Sequence, residues 1–187
     1  MIHKHILTLP FLALIFSCTS LPDKISAQAL GNHLTAKAVT SLSSEQGKIY
    51  LKNIEPSGLN SLRRFWVPQR KSYCGVCSAV IVSNTLLNNK GLNQDNFFSP
   101  SVVKVIKPAT VSRMGMTLRE LRETMTRIAP NLTTTKYYSH ISGLDLFKEQ
   151  IKNWNHEDEM IIVNFSRQSI AGTGMYSGHF SIVAGYD

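Results

Sequence analysis

The sequence predicts an α+β fold, on three observations. A long apolar stretch begins just after Cys74 and runs through Val76, Val80, Val82 and Leu86–Leu87, which reads as a central buried helix. Thr117 and Glu120 form a capping box that opens a second, amphipathic helix. Short apolar runs with strand character come only late, at Met160–Phe165 and Gly178–Tyr186. Helices first and strands last, without strand–helix alternation, give α+β rather than a parallel α/β sheet.

The chain of 187 residues is of one-domain length, and its 43% hydrophobic content suffices for a real core. Only 17% of residues are charged, which excludes a disordered chain. The formal net charge of +8 favours anionic partners. The basic residues are scattered, among them Arg63, Arg64, Arg70, Lys71, Arg113, Arg119, Arg122 and Arg127, so no nucleic-acid partner is expected.

Residues 1–28 read as a bacterial export signal. His3, Lys4 and His5 precede an apolar run from Ile6 to Phe16 that is too short for a membrane span. Ser17–Cys18 resembles a lipoprotein attachment site, and a lipid anchor at Cys18 stands level with simple cleavage within 18–29. Either route puts the mature protein outside the cytoplasm, in the periplasm or anchored to a membrane. That compartment permits disulfides, and the mature chain would keep Cys74 and Cys77.

Residues 29–61 carry no sustained period and are expected to be a linker or lead-in, with residues 62–187 as the catalytic domain. The helix from Cys74 should end at Asn88–Gly91, where an asparagine or glycine suits a left-handed cap. Ser99–Pro100 opens a short helix that Pro108 is expected to close. The capping-box helix presents Leu118, Leu121, Met125 and Ile128 on one face and stops at Pro130. Leu132–Tyr138 reads as a strand, and Ser142 as the start of a helix through Trp154.

Cys74-Gly75-Val76-Cys77 carries the chemistry, and the residues leave three readings. Zinc needs about four ligands, and the remaining candidates His140, His156 and His179 have no paired spacing. A thiol–disulfide pair suits a helix start, where the helix end stabilises a thiolate; Pro68 and the polar residues after it break the strand that such folds place before the pair. A cysteine nucleophile needs a histidine from elsewhere and a donor for the oxyanion. His179 opens an otherwise apolar strand and is the candidate base; Gln69, shortly before Cys74, is the candidate amide donor.

QRKSYCGVCSAVIVSNTLL, residues 69–87, resembles the nucleophile segment of the phytochelatin synthase family. Gly178-His179-Phe180-Ser181 with Gly185-Tyr186 is similar to the segment carrying that family's catalytic histidine, and Gly115–Leu118 and Asn164–Arg167 are similar too. The likeness runs from about Phe65 to the end; the two segments together, about a hundred residues apart, make it specific.

The resemblance implies a papain-like fold, a helix bearing the nucleophile packed on a small antiparallel sheet, and a thiol acyltransferase or peptidase acting on glutathione. Cys74 would be the nucleophile and His179 the base. Cys77 stands where the family usually has a small residue; papain itself places its nucleophile second in a Cys-Gly-x-Cys order, but Cys74 begins the helix while Cys77 falls one turn inside. Arg167 is the candidate for a glutathione carboxylate. No cofactor is implied for the acyl chemistry; cadmium or zinc enters as activator or as metal-thiolate substrate, and a homodimer is left open. The family's third catalytic group, an aspartate further along, has no position here, so the catalytic domain is expected to be incomplete at its C-terminal end and its activity weakened. The alternatives are an exported thiol–disulfide oxidoreductase using Cys74 and Cys77, and an inactive glutathione-binding protein.

Overall fold

A computed structural model describes residues 13–16, 44–53, 64–65, 67–155, 158–166 and 178–186. In chain order these form strand β1 (Ala13–Phe16) and helices α1 (Glu45–Asn53), α2 (Cys74–Leu86), α3 (Pro100–Val103), α4 (Pro108–Met114), α5 (Leu118–Ile128) and α6 (Ser139–Lys152). Strands β2 (Ile162–Ser166) and β3 (Gly178–Tyr186) follow, so helices with a small antiparallel sheet make the expected α+β architecture.

Helix α2 is the centre of the molecule. Every residue from Cys74 to Asn84 is buried, because apolar and small side chains occupy all sides of the helix rather than one stripe. Val76, Ala79, Val80 and Ile81 share one core with Phe97, Val102, Ile106, Val111, Leu121 and Met125 from the helical side, and with Phe180, Ile182 and Ala184 from β3. The helix ends as expected: Leu87 caps it, and Asn88 takes the left-handed conformation at φ 48°.

The sheet runs in the order β1-β3-β2, with antiparallel pairing throughout. Phe165 stands opposite His179, and Ile162 opposite Ile182. On the other edge of β3, Phe16 pairs with Ile182 and Ala13 with Tyr186. This edge strand lies within the apolar run expected to be an export signal.

Several expected boundaries move, each for a local reason. Pro108 opens α4 instead of closing the helix begun at Pro100; at a first helical position proline loses no hydrogen bond and its fixed φ suits the helix. Ser99 caps α3 as expected, accepting from the Val102 N–H at 3.4 Å. The capping box of α5 is complete, with Thr117 N–H donating to Glu120 at 2.7 Å and Glu120 N–H to the Thr117 hydroxyl at 3.2 Å.

Leu132–Tyr138 is not a strand. Its residues alternate between half-buried and exposed, which is the strand signature, but the backbone finds no sheet partner among the described residues. Side chains of α5 hold it instead: Arg122 donates to the Thr134 carbonyl at 3.4 Å, and the Thr126 and Thr134 hydroxyls bond at 3.1 Å. Helix α6 begins at Ser139, before Ser142, with no side-chain cap to mark its start. Residues 29–61 contain α1, which is short and lacks an apolar period, so composition does not announce it; Ser44 accepts from the Gly47 N–H at 3.0 Å at its entry.

Candidate active site

The site is built where the first turn of α2 meets the start of β3. A tight turn delivers the chain into the helix: the Tyr73 N–H donates to the Arg70 carbonyl at 3.0 Å, and Ser72 sits in the left-handed region at φ 65°. For a residue other than glycine that conformation costs about 1 kcal/mol, and such strain persists only where surrounding contacts impose it. Cys74 is then the first helical residue, and the first intrahelical bond is donated by Cys77 to the Tyr73 carbonyl at 2.7 Å. The N–H groups of Cys74, Gly75 and Val76 therefore have no intrahelical acceptor, as at any helix start.

The two cysteines differ as the helical register requires. Cys74 is 9% exposed, whereas Cys77 is fully buried, its thiol 3.6 Å from the Val67 carbonyl. Neither is in a disulfide.

Gly75 explains how the strand comes so near. A Cβ at this position would stand 2.5 Å from the Met116 sulfur and 3.2 Å from Cδ2 of Phe180. Helix and strand therefore touch through a glycine, and Cys74 and His179, the neighbours of Gly75 and Phe180, come to the same end of the α2–β3 contact. Gly75→Ala should overpack this point and cost about 1–3 kcal/mol, read as a lower thermal midpoint. Adding Met116→Ala should recover part of that loss, because the flexible methionine supplies the nearest atoms.

His179 is 3% exposed, and its ring meets the edge of Phe165 at 5.5 Å. Alternation along β3 sends Phe180, Ile182 and Ala184 toward α2, and His179 to the opposite side with its cross-strand partner Phe165. Gly178 is also tightly fitted, since a Cβ there would meet Asn164 Oδ1 at 2.8 Å.

Gln69 lies in the loop before the turn, half-buried, and its Oε1 is buried without a hydrogen-bond partner. A buried amide atom without a partner is costly and rare. Sequence reasoning missed the residues that hold this loop. Gln94 accepts from the Arg70 N–H at 3.1 Å and donates to the Pro68 carbonyl at 2.6 Å, and Arg70 pairs with Asp95 at 2.6 Å. In the sequence Asn93–Asn96 is a polar cluster that reads only as a loop; nothing local ties it to Gln69.

Arg167 and His156 lie outside the described residues, as does the side chain of His140. Among the described residues no group of histidine, cysteine and acidic side chains could hold a metal ion. A depression of ≈ 380 Å³ on α5, lined by Arg122, Glu123, Thr126 and Arg127, includes none of the residues singled out from the sequence.

A family model for phytochelatin synthase matches residues 31–187. No curated protein matches the chain. The matched span takes in the helix that begins at Cys74 and the strand that carries His179, and it covers most of the sequence. Enzymes of this family are glutathione γ-glutamylcysteinyltransferases, with glutathione as their substrate. The chain thus belongs to the phytochelatin synthase family.

Proposed function

We propose that this protein is a papain-like thiol enzyme that cleaves glycine from glutathione through a covalent γ-glutamylcysteinyl intermediate on Cys74. The Cys74 thiolate attacks the carbonyl carbon of the cysteinyl–glycine bond, and the electron pair moves onto the carbonyl oxygen. Free N–H groups of the first turn of α2, with the Gln69 amide, are the donors we assign to that oxyanion. As the tetrahedral intermediate collapses, the C–N bond breaks, His179 gives its proton to the departing glycine amine, and a thioester remains on Cys74.

Deacylation has two outcomes. Water yields γ-glutamylcysteine; the amine of a second glutathione yields a phytochelatin, which binds metals through its added cysteine. Cadmium or zinc belongs here as part of a metal-thiolate substrate, and Arg167 is the residue we assign to a substrate carboxylate.

The observation that carries this reading is the phytochelatin synthase match over residues 31–187, which takes in both Cys74 and His179. Export, proposed from the apolar run Ile6–Phe16, would remove β1 from the mature chain and leave that edge of β3 open.

The test is direct. Purified full-length protein incubated with glutathione should release glycine, measured by amine derivatisation and mass spectrometry, and should form γ-glutamylcysteine or a longer thiol peptide. Absence of glycine release under both metal-free and cadmium-loaded conditions would leave a binding protein.

A further inference from the structure

We propose that Gln94 is a positioning residue for the oxyanion donor, acting through the backbone on both sides of Gln69. This rests on the reading of Gln69 given above and extends it to a residue that no feature of the motif marks. In extended backbone, the carbonyl of one residue and the N–H of the residue two further on point the same way. One side-chain amide can therefore hold both, and Gln94 does so: it donates to the Pro68 carbonyl at 2.6 Å and accepts from the Arg70 N–H at 3.1 Å. Because one partner is a carbonyl and the other an N–H, the orientation of this amide is fixed by its bonds. The residue left between the two bonds is Gln69.

Gln94 is 8% exposed, so these bonds are shielded from competing water and leaving either unmade is costly. The neighbouring Arg70–Asp95 pair acts on the same loop, but its side chains are 51% and 74% exposed and contribute little.

Gln94 is itself held from α2. Asn84, near the end of that helix, donates to the Leu92 carbonyl at 2.8 Å. Asn93 then organises the turn, its side-chain oxygen accepting from the Asp95 and Asn96 N–H groups at 2.8 and 3.0 Å. The helix that begins with Cys74 thus fixes, from its far end, the loop that carries Gln69.

The Gln69 Oε1 that lacks a partner marks the end of this chain of contacts. This buried oxygen has no hydrogen-bond partner, and a half-turn of the terminal torsion exchanges it for the N–H₂ donor at that point.

The experiment compares wild type with Gln94→Leu, which deletes both bonds, and Gln94→Glu, which keeps the Arg70 bond and sets a carboxylate against the Pro68 carbonyl. Three readouts are taken: kcat for glycine release, the rate of Cys74 alkylation by iodoacetamide, and the side-chain amide signal of Gln69 in ¹⁵N spectra. Alkylation passes through no oxyanion, so it registers the thiolate and the fold alone.

The expected result is a fall in kcat of about 100-fold for Gln94→Leu, the loss seen when one oxyanion donor is displaced. KM and alkylation should hold, and Gln94→Leu should add nothing in a Gln69→Ala background. A kcat unchanged in both variants, or an effect that simply multiplies with Gln69→Ala, overturns the proposal. So does a parallel fall in kcat and alkylation, which would mark a general structural role. Should the wild type release no glycine, the functional reading fails by itself. The Gln69 amide signal then decides the positioning claim: a changed or broadened signal in Gln94→Leu upholds it, and an unchanged one overturns it.

Discussion

Cys74→Ser is expected to lower glycine release from glutathione by at least about 10⁴-fold, because the covalent route is lost and only binding and oxyanion stabilisation remain. Serine in place of the first helical residue keeps the local shape, so folding should be unaffected. The informative comparison is Cys77→Ser. Cys77 is fully buried against the Val67 carbonyl, and a hydroxyl can still donate there. The exchange should cost about 1 kcal/mol or less and leave turnover of the folded enzyme near that of wild type. A thiol–disulfide oxidoreductase would lose its activity in both variants, since either cysteine is indispensable to it. Glycine release by both single variants, read by mass spectrometry, separates the two chemistries in one assay.

His179→Ala is expected to reduce glycine release by roughly 10³-fold, the span that a positioned acid–base group supplies. Two effects must be kept apart here. The imidazole is buried against Phe165, so removing it also leaves a small cavity, worth about 1–3 kcal/mol in stability. If His179 served only to pack against Phe165, the thermal midpoint would fall while kcat of the folded fraction held. If His179 is the catalytic base, His179→Ala should also slow alkylation of Cys74 near neutral pH, because the group that takes the thiol proton is gone. This measurement bears directly on the strand geometry, since β3 turns His179 to the side away from α2.

Much of the site is legible in the residues themselves. The buried helix that begins at Cys74 announces itself by apolar residues on every face, and its end by Asn88. The strand from Gly178 to Tyr186 and the capping box at Thr117 are equally plain. Elsewhere a local signal suits two conformations. Pro108 can close a helix or open one, and only the chain after it decides. The alternating pattern of Leu132–Tyr138 suits a strand, but a strand also needs a neighbour, and α5 takes the segment instead.

Residue type and short-range pattern are enough to single out the candidate side chains and the elements that bear them: a thiol at a helix start, an imidazole at a strand start, an amide in the loop ahead of the helix. These follow from local rules of periodicity and capping. Long-range packing alone settles that Gly75 lets Phe180 approach, that Gln94 spans Pro68 and Arg70, and that His179 faces Phe165. Each of these joins residues distant in the chain, and such pairings depend on packing and on the geometry of whole elements, which no local pattern encodes.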